Sequence, residues 1–267
     1  MMTVGFIGAG QLGEPMVRRL VAAGHPTAVY ARRNDARLRL RGAGALLADS
    51  AAELAAVSDI LICCLFSDAQ LRETAMGPDS FIEHMKPGAV FVSHTTGSVG
   101  TLRELAESSA SPTILDAPVS GTADDIAHGT LTVLLGGPPE AVQRVRPILA
   151  AYADPIVCTG AAGSAMDIKL INNMLFAANA QLVAAAVQTG ERLGLAPGAM
   201  LSALTVCSGN SSAASYAQRA GGIEAFVELA APFLRKDIAA AVAAKEDTGA
   251  DLGLLRSVVE TGPLSLA

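Results

Sequence analysis

Residues 3–16 read TVGFIGAGQLGEPM: an apolar run, glycines at Gly8, Gly10 and Gly13, and a proline shortly after them. That G-x-G-x-x-G spacing between a strand and a helix has a physical reading. Gly8 permits a tight turn, Gly10 lets the backbone approach a pyrophosphate, and Gly13 allows the helix to pack closely, while the helix start offers free N–H groups to an anion. Pro15 falls in the first helical turn, where its missing N–H costs little. A second apolar run, TAVYA at 27–31, closes a βαβ unit, and that context distinguishes the motif from a merely structural glycine-rich turn. The loop Gly8, Ala9, Gly10, Gln11, Leu12 and Gly13 is therefore the expected cradle of a dinucleotide.

Apolar runs alternate with helix-length segments beyond this unit: DILICCL, AVFVS, TILDA, LTVLL and PIVC. The alternation predicts a Rossmann-type, doubly wound and mostly parallel sheet with crossover helices. From Gly163 onward the sequence offers Ala/Leu-rich helical segments broken near GLAPG, SGNSS, AGG and DTGAD. The expected organisation is a dinucleotide-binding domain over 1–160 and an all-helical domain over 161–267 that begins with a long interdomain helix. Leu170 to Gly190 carries no charge across 21 residues, enough to span a bilayer by length. Its amides Asn172, Asn173, Asn179, Gln181 and Gln188 and the lack of flanking basic clusters argue instead for a buried helix, covered on most sides by another domain or subunit.

Composition narrows the partners. The chain has 267 residues, 51% of them hydrophobic, which is ample for a core, and its formal charge of −6 gives no footprint for nucleic acid or an anionic membrane surface. Met1 leads almost directly into the first strand, leaving no room for a signal segment, so a cytoplasmic location is expected. Cys63, Cys64, Cys158 and Cys207 lack C-x-x-C spacing and read as small buried hydrophobes. His25, His84, His94 and His128 are dispersed, and no metal site is expected. The predicted partner is a small molecule.

The end of the second strand bears on the choice of dinucleotide. NAD-binding versions usually place Asp or Glu there for the ribose hydroxyls, whereas this chain has YARRNDAR at 30–37. Arg32 and Arg33 suit the 2′-phosphate of NADP, with NAD still possible, and a solvated basic turn is the bland alternative. In LDAPVSGTADDIAHGTL, Ser120 and Gly121 follow a strand's C-terminal end, where ligands bind in such sheets; the Ser120 hydroxyl and the N–H groups of Gly121 and Thr122 could hold a carboxylate. Out of context the same pair is a turn. Lys169 heads the uncharged helix, with Asn172 and Asn173 one turn further on. Apolar surroundings disfavour a charged amine and suit it to proton transfer, although a lysine at a helix start also commonly reaches out to water.

Taken together, the glycine fingerprint GFIGAGQLG, the segment DAPVSGTADDIAHGTL, the segment GSAMDIKLINN and the segment LRKDIAAAV resemble, in order and over nearly the whole chain, the β-hydroxyacid dehydrogenase family (3-hydroxyisobutyrate dehydrogenase-like). The resemblance implies a proton-transferring Lys169, a substrate-orienting Asn173, substrate contacts at Ser120 and Gly121, and Lys236 near cofactor and substrate. It also implies cofactor positions at Arg32, Leu65 and Thr96. The chain departs from the family pattern at Phe66, Ser93 and Thr122, where relatives usually have proline, an acidic residue and glycine. Thr122 adds a β-branched side chain beside the substrate loop, which allows a larger or differently hydrated substrate than the usual small 3-hydroxy acid, and an ending at VVETGPLSLA, short of a further helix, bears on dimer packing and closure of the site. The expected protein is an NADP-dependent oxidoreductase for a small hydroxy acid, aldehyde or keto substrate, forming a homodimer or homotetramer through its helical domain. Alternatives are an imine reductase on the same scaffold, against which Lys169 counts, and a non-catalytic NADP-binding module. A methyltransferase ranks last, because Arg32 and Arg33 replace the acidic residue its ligand needs.

Overall fold

The computed structural model describes residues 2–77, 79–249 and 251–266, without the side chains of 245–248. The first compact unit, Met1–Lys169, is built on β1 (Val4–Ile7), α1 (Gly13–Ala22), β2 (Thr27–Tyr30), α2 (Asn34–Gly42), β3 (Leu46–Leu47), α3 (Ala51–Val57), β4 (Ile60–Cys63) and α4 (Asp68–Met76). It continues through β5 (Val90–Ser93), α5 (Val99–Ser108), β6 (Thr113–Asp116), β7 (Val119–Ser120), α6 (Ala123–His128), β8 (Leu131–Gly136), α7 (Pro139–Leu149) and β9 (Ala153–Gly160). Spatially the strands run β3-β2-β1-β4-β5-β6-β8-β7, with β9 paired to β8. Pairs from β3 to β6 are parallel, β8 runs antiparallel to β6 and β7, and β9 is parallel to β8.

Why this sheet is buried on both faces can be read from its strands. VGFI, ILIC and VFVS are apolar without alternation and buried throughout, as strands covered by helices on both sides must be. Phe6, Val29, Ile60, Val90 and Leu115 pack in one core with Met16 and Leu20 of α1. The helices begin where the sequence supplies caps. Ser50, Ser67 and Ser98 each accept from a backbone N–H of the first turn of α3, α4 and α5.

A polar contact lies inside this apolar body. His94, fully buried after β5, has Nδ1 against the carbonyl oxygen of Ala117, so that nitrogen must donate; Nε2 then accepts from the Tyr152 hydroxyl at 2.7 Å. The imidazole thus joins the end of β5 to the segment after β6 and to the loop after α7.

The second unit, Leu170–Ala267, is helical among its described residues. Helix α8 (Ser164–Arg192) is shared by both units and is followed by α9 (Pro197–Leu204), α10 (Ser212–Ala220), α11 (Ile223–Thr248) and α12 (Gly253–Thr261). Phe176 of α8 meets Tyr216 of α10 and Phe226 of α11 edge to face, with ring centroids 5.9 and 6.3 Å apart. Gln181 staples the chain's end to α8: its Nε2 donates to the carbonyls of Val259 and Leu264, and its Oε1 accepts from Leu264 N–H at 2.7 Å.

Asn172 and Gln188 are exposed within this chain, as are Ile171, Leu175 and Leu182, so the chain itself covers only part of α8. One expectation is corrected here. Cys158 and Cys207 are also exposed, because β9 is an edge strand and Cys207 follows α9 on a surface turn; only Cys63 is fully buried.

Burial lowers the His94 pKa to about 4, well under the ordinary value of 6.5 that holds in the unfolded chain. Between these values the unfolded state binds the extra proton, so stability is present above pH 6.5 and is lost as pH falls toward 4, by roughly 3 kcal/mol. Denaturation at pH 7.5 and 4.5 should therefore show a smaller loss in His94→Asn/Tyr152→Phe than in the unmodified protein. An identical pH dependence would remove His94 from the account.

Candidate active site

The strands that carry the site end on a common rung. Register pairs Tyr30 with Ile7, Ile7 with Cys63, Cys63 with Ser93 and Ser93 with Asp116. The loops after β2, β1, β4, β5 and β6 therefore leave one edge of the sheet together, at the C-terminal ends where ligands bind in open α/β sheets.

At the first of these loops, two glycines are demanded by the protein itself. Gly8 has φ +95°, and a Cβ there would run into the carbonyl oxygen of Cys64. A Cβ on Gly13 would run into the carbonyl oxygen of Gly8. Gly10 differs, since nothing lies within 4 Å of the position its Cβ would take. No side chain caps α1, and although Glu14 N–H donates to the Gly10 carbonyl at 3.0 Å and Pro15 has no N–H, the positive end of the helix dipole still favours an outside anion there. Open space at Gly10 beside an uncapped helix start fits a dinucleotide pyrophosphate.

One cleft brings together Gly8, Ala9, Gly10, Arg32, Arg33 and Leu65, with Phe66 half exposed at its margin. The two arginines are not equivalent. Arg33 lies 3.6 Å from Asp35, which Arg39 also holds at 2.8 Å, and Arg39 in turn grips both carboxylate oxygens of Glu14. Hydrogen bonding from Arg39 is the main reason the Glu14 carboxyl titrates below its usual range. No carboxylate among the described residues pairs with Arg32. Gln11 and Arg33 border an adjoining hollow with Arg18 and Arg39. Leu12 is half-buried at the start of α1; Thr96 is half-buried after β5, and its neighbour Thr95 accepts from Leu65 N–H at 3.1 Å.

The segment after β6 presents Ser120 and Gly121 to solvent. Ser120 pairs with Thr132 across β7 and β8, and Gly121 takes φ +140°. Thr122 is engaged within the chain. Its N–H and hydroxyl both donate to Asp125 Oδ2, at 2.6 and 2.7 Å, in a capping box that starts α6. A carboxylate within the chain thus occupies both donors of Thr122. The sequence pattern T-x-x-D could have shown this.

A residue to which the sequence reading gave no role stands at the end of β6. Asp116 is fully buried, and its two oxygens accept from Gly163 N–H and Met166 N–H, each at 2.8 Å. It thereby holds the first turn of α8, with Lys169 half-buried in the next turn. After desolvation, the negative charge of Asp116 is the second cause that raises the Asp167 carboxyl above its ordinary range.

In the helical unit, Asn173 is buried and donates through Nδ2 to Asp237 Oδ2 at 2.9 Å. Lys236 Nζ lies 3.4 Å from the other oxygen of Asp237. Asp237 thus joins two of the expected residues. It too was without an assigned role, although KD is adjacent in the sequence.

A glycine turn that opens a Rossmann-type unit, followed by a helical unit, is the architecture of a dinucleotide-binding protein. Comparison with known proteins agrees with that class. Residues 3–160 match the family model described as the NAD binding domain of 6-phosphogluconate dehydrogenase, and residues 162–262 match the one for the NAD-binding region of NADP-dependent 3-hydroxyisobutyrate dehydrogenase. An uncharacterized oxidoreductase of Bacillus subtilis is 31% identical over 205 residues, 76% of this chain and 71% of that protein. Human mitochondrial 3-hydroxyisobutyrate dehydrogenase is 31% identical over 208 residues, 77% of this chain and 62% of that protein's length. Among solved structures, Mycobacterium tuberculosis 3-hydroxyisobutyrate dehydrogenase with L-serine superposes with a TM-score of 0.85 at 29% identity, covering 97% of this chain and 92% of that one. The chain belongs to the β-hydroxyacid dehydrogenase family of NAD(P)-dependent oxidoreductases.

The glycine geometry separates stability from ligand binding. Gly8→Ala is expected to destabilise the fold by about 2–4 kcal/mol, through backbone strain and a backbone collision. Gly10→Ala should stay within about 0.5 kcal/mol of the unmodified protein. Denaturant titration of both variants checks the contrast, and equal losses would contradict it.

Proposed function

We propose that the protein is an NADP-preferring enzyme that moves a hydride between the nicotinamide and the carbinol carbon of a small β-hydroxy acid, or back from the carbonyl form. The observation that carries this reading is the tether between Asp116 and the first turn of α8, which puts Lys169 one turn beyond the strand end that leads to Ser120. In oxidation the Lys169 amine accepts the hydroxyl proton; in reduction its ammonium returns a proton to the carbonyl oxygen. Asn173, one helical turn along α8, orients that oxygen, while the Ser120 hydroxyl and the Gly121 N–H hold the carboxylate. Lys236 serves the region shared by cofactor and substrate.

The residues fit a phosphorylated dinucleotide. The start of α1 and the open side of Gly10 receive the pyrophosphate, with Leu65 and Thr96 beside the cofactor. Arg32, without a carboxylate partner among the described residues, supplies the cation for a 2′-phosphate, and Arg33 is the lesser contributor because Asp35 already attracts it. The L-serine in the mycobacterial relative's structure is itself a β-hydroxy acid, which supports the substrate class. The reading includes a cytoplasmic protein whose partners are small molecules. It also includes self-association through the helical unit, supported by the exposed row Ile171, Leu175 and Leu182 on α8 and by Leu229 and Phe233 on α11.

Two experiments test this. Arg32→Asp should move the ratio of kcat/KM for NADP over NAD toward NAD by roughly tenfold to a hundredfold, the size of a lost charge-assisted pair, with a smaller change for Arg33→Asp. Preference for NAD in the unmodified protein would overturn the cofactor assignment. Lys169→Ala should lower kcat by about 10² to 10⁴ while NADPH affinity and Tm hold, and the rise of alcohol oxidation with pH, which needs the neutral amine, should disappear. A near-normal kcat would refute the proton-transfer role.

A further inference from the structure

Asp116 is an expensive residue for a fold to keep. A carboxylate with no exposed surface gives up its hydration, and in a protein interior that loss costs several kcal/mol unless strong partners replace the water. No lysine or arginine among the described residues ion-pairs with it. Its partners are two backbone N–H groups, Gly163 on one oxygen and Met166 on the other, at the start of a helix of 29 residues. Those N–H groups are among the ones a helix cannot satisfy from within, and the helix's positive end favours the charge.

The surroundings are shaped around the same contact. Gly136 stands opposite Asp116 in the β6–β8 pairing, and a Cβ there would lie 2.5 Å from Asp116 Oδ1 and 2.9 Å from the carbonyl oxygen of Ala161. Gly163 takes φ +94°, and a Cβ on it would press within 2.8 Å of Val99. Gly136, opposite Asp116, and Gly163, one of its two donors, are thus held to glycine by space or by backbone conformation. A hydrophobic residue at position 116 could fill the volume, but it would leave both amides buried without an acceptor.

From this arrangement we infer that Asp116 is a positioning residue for the proton-transfer step. It fixes the first turn of α8 to the same strand end from which the segment carrying Ser120 departs. Ser120 lies four positions after Asp116 in the chain, and Lys169 three positions after Met166. One carboxylate therefore sets the distance between the group proposed to hold the substrate and the group proposed to exchange its proton. The inference rests on the catalytic reading of Lys169.

A double-mutant cycle tests it. Asp116→Asn keeps the side chain's shape but replaces one acceptor oxygen with a donor, which opposes one of the two N–H groups. It is expected to lower kcat by about tenfold to a hundredfold, the scale of a displacement near 1 Å, with KM for NADPH unchanged. Hydrogen exchange at the Met166 amide should quicken in the same variant, a readout independent of turnover. In a Lys169→Ala background, Asp116→Asn should lower kcat by less than about twofold, because no amine is left to position. If Asp116→Asn does not fold, Gly136→Ala takes its place in the cycle, since it displaces the carboxylate without removing it. Equal losses in both backgrounds, or no loss with Lys169 present, would overturn the positioning role and leave the Lys169 reading intact. A normal kcat in Lys169→Ala alone would overturn both.

Discussion

The strand register across the centre of the sheet is the constraint on which the site depends. Because Tyr30, Ile7, Cys63, Ser93 and Asp116 share a rung, the next residues of five separate segments emerge side by side. A slip of one residue in any pair would turn that strand's core side chains to the opposite face, so the same apolar packing that stabilises the sheet also fixes where its loops begin. The residues of the candidate site follow that edge. The glycine turn leaves from β1, the arginine pair from β2, Leu65 from β4, Thr96 from β5 and Ser120 from the segment after β6.

The polar ties between these loops run along the edge rather than into solvent. Thr95 receives Leu65 N–H, His94 reaches Ala117 and Tyr152, and Asp116 reaches α8. Each links segments that are distant in sequence, and each is buried or nearly so, where a hydrogen bond to a well-placed partner is strong and an unmet one is costly. The edge is thereby a connected frame and not a row of independent loops.

Much of this was legible in the sequence, and the failures have physical causes. Every apolar run read as a strand is one, because period and flanking glycines carry that signal locally. Strands β3 and β7, of two residues each, are too short to show any pattern. The helical character of the second unit and its breaks followed from composition. Burial along α8 did not, since absence of charge does not say which face is covered, and Ile171 and Leu182 are exposed despite being apolar. Asp116 escaped notice because its partners lie about fifty residues away in the chain. The difference between Arg32 and Arg33 became visible only once Asp35, Arg39 and Glu14 were seen as a connected set of charges. Thr122 was readable in principle, through a capping pattern overlooked beside the family motif.

That capping box has a thermodynamic consequence. With its N–H and hydroxyl committed to Asp125, Thr122 holds the start of α6 in place whether or not anything sits beside Ser120. Gly121 is confined between the Thr132-paired strand and that helix start. A ligand arriving at this segment meets backbone whose conformational freedom was surrendered when the protein folded, so association there need not draw on its own contact energy to order the chain. The trade is breadth: a segment so constrained adapts little to ligands of other shapes.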